Sequence, residues 1–217
     1  MSSPRARVGV VAVLLVSVSG CVGYQLGSEP EPTSTTSAPT SDGVAMPVVD
    51  TFSTDRGDGL WRSELDQEWR QIGGTWQASR GRATGQARDG AAIATLDPEG
   101  SLTFVQVIVG RVVAGSGVVF RYENPSNYWS LLASPLGGEW SLVKVVDGDQ
   151  TVLGSYGPAP TERGATVMLR FDGDRIEVEV DNVELGGLSD SDLQDKNRVG
   201  FVVPAGATAT FDQIVGG

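Results

Sequence analysis

The chain has 217 residues, 27 of them acidic and 16 basic, for a net charge of −11, with no histidine and a single cysteine. Those absences exclude a Ser-His-Asp or Cys-His triad, zinc sites of the Cys/His kind and any internal disulfide. The acidic balance argues against nucleic acid as a partner, and any metal would be held by oxygens, which points to calcium.

Arg5 and Arg7 precede an apolar run from Val8 to Val18 that continues as Ser19-Gly20-Cys21. A membrane-spanning helix needs about 20 apolar residues. This run is shorter and fits the roughly 7–15 residues of a signal-peptide core. A basic start, a short apolar run, small residues and then cysteine resemble the lipobox of bacterial lipoproteins. The resemblance implies a signal peptide over 1–20, lipid on the sulfur of Cys21, and a protein held at the extracytoplasmic face of the cell membrane. Residues 21–45 are expected to form a linker. Within it, Ser28 to Gly43 holds Pro, Ser, Thr and Glu with almost nothing to bury, which predicts a disordered spacer. If extended it would reach on the order of 50 Å. The folded domain is expected over 46–217, about 170 residues with 24 acids against 14 bases, enough for one core.

From there, short alternating apolar runs are separated by Gly, Asp, Asn and Pro, the pattern of strands and turns. Strands are expected near 48–53, 74–78, 82–86, 91–96, 101–113, 116–123, 127–133, 139–147, 151–155, 165–172, 174–180, 198–203 and 207–215. Asp147-Gly148, Asp172-Gly173 and Asp181-Asn182 supply tight-turn residues that tolerate positive φ. Strict alternation puts Val118, Phe120 and Tyr122 on one face, and Ile176, Val178 and Val180 on the apolar face of their strand. Glu64–Trp69 and Asp190–Gln194 are each expected to make a helical turn. About a dozen strands with little helix define an all-β fold, a two-sheet antiparallel β-sandwich or jelly roll.

The order of several pieces resembles the concanavalin A-like lectin/glucanase superfamily, and within it the laminin-G-like and 3-keto-disaccharide hydrolase-like domains. Val49-Asp50-Thr51-Phe52 opens the domain, and Gly74-Thr75-Trp76 resembles a Gly-x-Trp strand. Gly117 to Tyr122 followed by Asn127-Tyr128-Trp129 resembles a family hairpin. Leu169 to Asp181, Arg198 to Phe201 and Ala209 to Val215 resemble its closing strands. The resemblance spans 49–215 and implies that the first and last strands pair. It also implies a function among lectins, adhesion modules and glycosidases, since the fold alone does not choose.

Candidate residues follow from chemistry. Sugar rings present apolar C–H faces that suit aromatic side chains flanked by polar donors. Tyr122, Tyr128, Trp129, Trp140 and Trp61 are the available aromatics. Phe120, Tyr122 and Trp76 are expected in the core, leaving Arg121, Asn127, Trp129 and Trp140 as ligand-binding candidates. Glu177, Glu179 and Asp181 alternate along one strand. By resemblance to the Glu-x-Asp-x-Glu run of laminarinase-type glycosidases they are the catalytic candidates, departing from that pattern at two of three positions; the competing reading is a solvated strand face. Asp147-Gly148-Asp149, Asp172-Gly173-Asp174 and Asp190-Ser191-Asp192 are candidate calcium donors or simply turn residues. Arg56-Gly57-Asp58 is an integrin-type tripeptide of a kind that arises readily by chance. The expectation is a lipid-tethered, non-catalytic binding module for glycans or an envelope partner. A carbohydrate-active hydrolase and a structural accessory lipoprotein are the alternatives.

Overall fold

The structure, a computed structural model, describes residues 47–98, 100–134, 138–159 and 163–217. The expected signal peptide, Cys21 and the spacer lie outside the described residues. In chain order the strands are β1 (Val48–Asp50), β2 (Gly57–Asp58), β3 (Arg70–Ile72), β4 (Thr75–Ser79), β5 (Arg82–Gln86), β6 (Ala92–Leu96), β7 (Phe104–Arg111) and β8 (Gly117–Asn124). They continue as β9 (Asn127–Ala133), β10 (Trp140–Val146), β11 (Asp149–Tyr156), β12 (Ala165–Asp172), β13 (Arg175–Val180), β14 (Val183–Ser189), β15 (Arg198–Val203) and β16 (Thr208–Gly216).

Two antiparallel sheets face each other. One runs β14-β13-β12-β7-β16-β5-β4-β2, with β1 also on β16; the other runs β11-β10-β9-β8-β15-β6-β3. The pairing of first and last strands is present, with Val48 opposite Gly216 and Asp50 opposite Ile214. The hairpin turns use the expected residues: Asp147 and Gly148 have φ of 52° and 88°, and Asp181 and Asn182 have φ of 50° and 63°.

Inward residues of both sheets form one core. Phe201 and Phe211 stack across it at 4.2 Å, with Trp69, Trp76 and Phe52 around them. A second aromatic group joins Phe120, Trp129 and Phe171. Each such side chain contributes about 1.5–3 kcal/mol on burial, so these aromatics do the work that disulfides cannot do here.

Several expectations need correction. Glu64–Trp69 is not helical: Arg62 bridges Glu68 in a small hairpin, closed by Ser63 N donating to Gln67 O at 2.8 Å. Asp190–Gln194 is a turn rather than a helix. β2, β3 and β14 were not expected as strands. The integrin-type tripeptide is not displayed, because the Arg56 guanidinium grips the fully buried Asp50 carboxylate with two hydrogen bonds of 2.7 Å. Asp50 also accepts from the Trp69 indole at 2.8 Å and from Phe52 N at 3.0 Å. A buried charge held this way has every oxygen satisfied.

Candidate functional site

Of the ligand-binding candidates, Arg121 and Trp129 meet, and three of the four lie in the interior. Trp129 and Trp140 are fully buried and Arg121 is buried. The Arg121 guanidinium lies 5.7 Å from the Trp129 ring and donates to the carbonyls of Asp190 (2.7 Å) and Gly173 (3.0 Å). The Trp129 indole donates to Asp192 O at 3.0 Å. Lys144 sits over the same ring and bonds Asp190 and Asp192 at 2.6 and 2.7 Å. Together these groups latch the loop before β15 onto the end of the sandwich. They cannot also present a sugar platform. Asn127 is structural as well, its side-chain oxygen accepting from Asp147 N at 3.0 Å.

The three carboxylates of β13 do not converge on a cleft. Glu177 pairs with Arg175 at 2.8 Å and Glu179 with Arg170 at 2.9 Å. Asp181 accepts from Thr166 N at 2.9 Å. Glu177 borders a small cleft of about 380 Å³, and neither Glu179 nor Asp181 lines it. Among the described residues no group of three or more acidic side chains is placed to hold a metal. In the Asp190/Asp192 pair the cation is Lys144.

The sequence reading misplaced Tyr122. Arg121 has φ of 45°, and the pairing of β8 slips there on both sides. Such a bulge reverses the alternation beyond it. Phe120 therefore points into the core while Tyr122 emerges on the outer face of the seven-stranded sheet. There it joins Ile93, Val119 and Val202 in a separate apolar cluster, with Ile72, Tyr128 and Leu132 against it.

Register defines this face in rows. One row pairs Arg70 with Thr95, Thr95 with Gly200, Gly200 with Val119, and Val119 with Ser130. On one side of it lie Ile93, Val202, Gly117 and Leu132. On the other lie Arg198 and Tyr122, a cross-strand pair. Small side chains thus form a central strip flanked by larger ones. The Tyr122 hydroxyl and Ser130 Oγ are buried on this face without a hydrogen-bond partner, which is rare for buried polar atoms. Tyr128 lies 6.0 Å from Tyr122, ring to ring. Burial raises both phenols above their ordinary pKa; for Tyr122 the charges of Arg70 and Arg198 oppose it. Both stay O–H donors through the neutral range.

The rim is accessible. Arg70 is exposed, and Ile72, Tyr128, Leu132 and Arg198 are half-buried. Arg198 pairs with Asp97 at 3.2 Å, whereas no hydrogen bond or ion pair engages Arg70 among the described residues. Both arginines also line a cleft of about 720 Å³ with Arg62, Leu65, Gln67 and Asp97, within the size range of ligand sites. Arg70, Thr95, Ser130 and Arg198 were missed as site residues. The alternation Arg198-Val199 and Trp129-Ser130 places two of them outward, but a lone polar residue on a strand carries no signal of its partners.

No family model and no curated protein matches the chain. Solved structures do. The chain is similar to a carbohydrate-binding module, CBM66, of Bacillus subtilis, with a TM-score of 0.56 and 18% identity over 67% of this chain and 91% of that one. A prokaryotic β-1,3-1,4-glucanase (lichenase) from a mouse hindgut metagenome aligns with a TM-score of 0.57 and 11% identity, over 79% of this chain and 98% of that one. The Bacteroides ovatus xyloglucan-locus protein GH43B aligns at 0.58 and 13%, over 79% of this chain and 39% of its own length. At such identities the likeness defines the fold alone, a two-sheet jelly-roll β-sandwich.

Proposed function

We propose that this domain is a non-catalytic glycan-binding module, held at the extracytoplasmic face of the membrane by lipid on Cys21. The observation that carries the reading is the apolar outer face around Tyr122, Ile93, Val119 and Val202, rimmed by the half-buried Tyr128 and Arg198 and the exposed Arg70. A sugar supplies what such a face lacks: hydroxyls for the rim arginines and a C–H face for the Tyr128 ring. All three of the similar folds reported above carry carbohydrate-related names, which supports the choice of ligand class. The arginine pairing of Glu177 and Glu179 supports a binding role over hydrolysis, which needs two carboxylates free to act on one bond.

The test is binding of the protein to a glycan array and to soluble mixed-linkage β-1,3-1,4-glucan and xyloglucan, with and without calcium. Binding weakened by Tyr128→Ala and Arg70→Ala is expected. An absence of binding to every glycan would sink the reading. The anchor is tested separately by fatty-acid labelling, which Cys21→Ser should abolish.

A further inference from the structure

Trp61 differs from the other tryptophans. Trp69, Trp76, Trp129 and Trp140 are all buried, whereas Trp61 is 63% exposed. Its backbone is left-handed, with φ of 53°, a strained conformation for a bulky side chain. Phe52 and Arg121 share that conformation, but both are buried, so packing offsets their strain. Trp61 gains no comparable burial.

Slack in the loop does not explain it. Leu60 is fully buried, and its carbonyl accepts from Arg56 at 3.0 Å. Gly59 N donates to Trp76 O at 2.6 Å, and Trp69 N donates to Trp61 O at 2.8 Å. The backbone is pinned on both sides and holds the indole outward. The ring rests beside Gly59: a Cβ there would sit 3.2 Å from the indole Cε2 and Nε1, and 3.5 Å from the Gln71 amide nitrogen. Gln71 and Asp58 are exposed, and no hydrogen bond engages either side chain among the described residues.

We propose that Trp61 is a second sugar platform at the edge of the sandwich. One sugar ring stacks on the free indole surface, and Gln71 and Asp58 hydrogen-bond its hydroxyls. The proposal rests on the glycan reading above and extends it to a second contact. An aromatic face rimmed by polar side chains fits a sugar better than a protein partner, which would need a larger apolar patch. The other exposed large apolar residues beyond this hairpin are Val152 and Val183, on β11 and β14. Trp61 directly precedes Arg62, which lines the 720 Å³ cleft, so one polysaccharide held at both places would gain from the linked contacts.

The test uses the full chain purified in detergent, with mixed-linkage β-1,3-1,4-glucan and xyloglucan as probes. Trp61 is the one strongly exposed tryptophan of the five, so acrylamide quenching of fluorescence reports on it. Saturating glycan should shield it. Trp61→Ala should weaken binding about threefold to tenfold, and Trp61→Tyr should restore most of the loss. In the Arg70→Ala protein, saturating glycan should still shield Trp61. Wild-type affinity in Trp61→Ala, with Trp61 of the wild type still quenchable in the complex, overturns the platform and leaves the sheet-face reading standing. Loss that tyrosine does not restore overturns it too, since loop shape would then be responsible. No binding by the wild type overturns both.

Discussion

Tyr122 reaches the outer face because Arg121 takes a left-handed φ and turns the strand by one residue. The hydroxyl it carries there is buried without a partner. With no surface open to a ligand, that hydroxyl contributes nothing to binding, so Tyr122→Phe should leave glycan affinity unchanged and the melting temperature unchanged or higher. Titration calorimetry beside thermal melting checks both halves. Because burial holds both phenols above their ordinary pKa, no deprotonation of Tyr122 or Tyr128 should appear in the affinity between about pH 6 and 9; a fall centred in that range would contradict the site. Aromatic and arginine residues were legible in the sequence as the chemically interesting ones, and the Arg121–Trp129 contact follows from their neighbouring strands. What strict alternation cannot carry is a bulge. Its phase reversal sent Tyr122 outward and turned Arg121 in.

At the scale of elements, the loop between β14 and β15 is held by charge. Lys144 is raised by its bonds to Asp190 and Asp192. For Asp190, burial works to raise the pKa, but Lys144 and the Asp192 amide outweigh it and the net shift is downward. A depressed carboxyl stabilises the fold above its unfolded pKa of about 3.9, and that contribution is lost as pH falls through the lower folded value. Protection of the amides of residues 190–197, taken relative to the intrinsic exchange rate at each pH, should therefore hold at neutral pH and fall below about pH 4. Lys144→Met should lower it at both. Arg121→Met removes charged donors from three carbonyls and should lower stability by about 3 kcal/mol, read from denaturant midpoints. The strands hidden from the sequence each have a local reason. β2 and β3 are two and three residues long. β14 contains Gly186-Gly187, residues that weaken a strand pattern, but Gly187 lets its backbone approach Ile176, where a Cβ would come within 2.3 Å of the carbonyl.

For the whole molecule, the sandwich closes without disulfides, and the Asp50 lock carries part of that task. Asp50→Ala would leave the Arg56 guanidinium and the Trp69 indole without their acceptor, and should destabilise the domain by about 3–5 kcal/mol, measured by chemical unfolding. The all-β class and the meeting of the two chain ends were legible because both depend on periodicity and order. The outer face proposed to bind was not, since it is assembled from β3, β6, β8, β9 and β15, whose neighbours are set by topology. The pairing of β1 with β16 also has a mechanical side. A load carried by the chain ahead of Pro47 would bear first on three residues of β1, backed by the Gln67 amide on Pro47 O. The last of the three is Asp50, clamped by Arg56 and Trp69. The domain is built like a rope end made fast to a cleat. Under tension, β1 is expected to peel as a short first step and stop at the ion pair, leaving the rest of the sandwich unstrained.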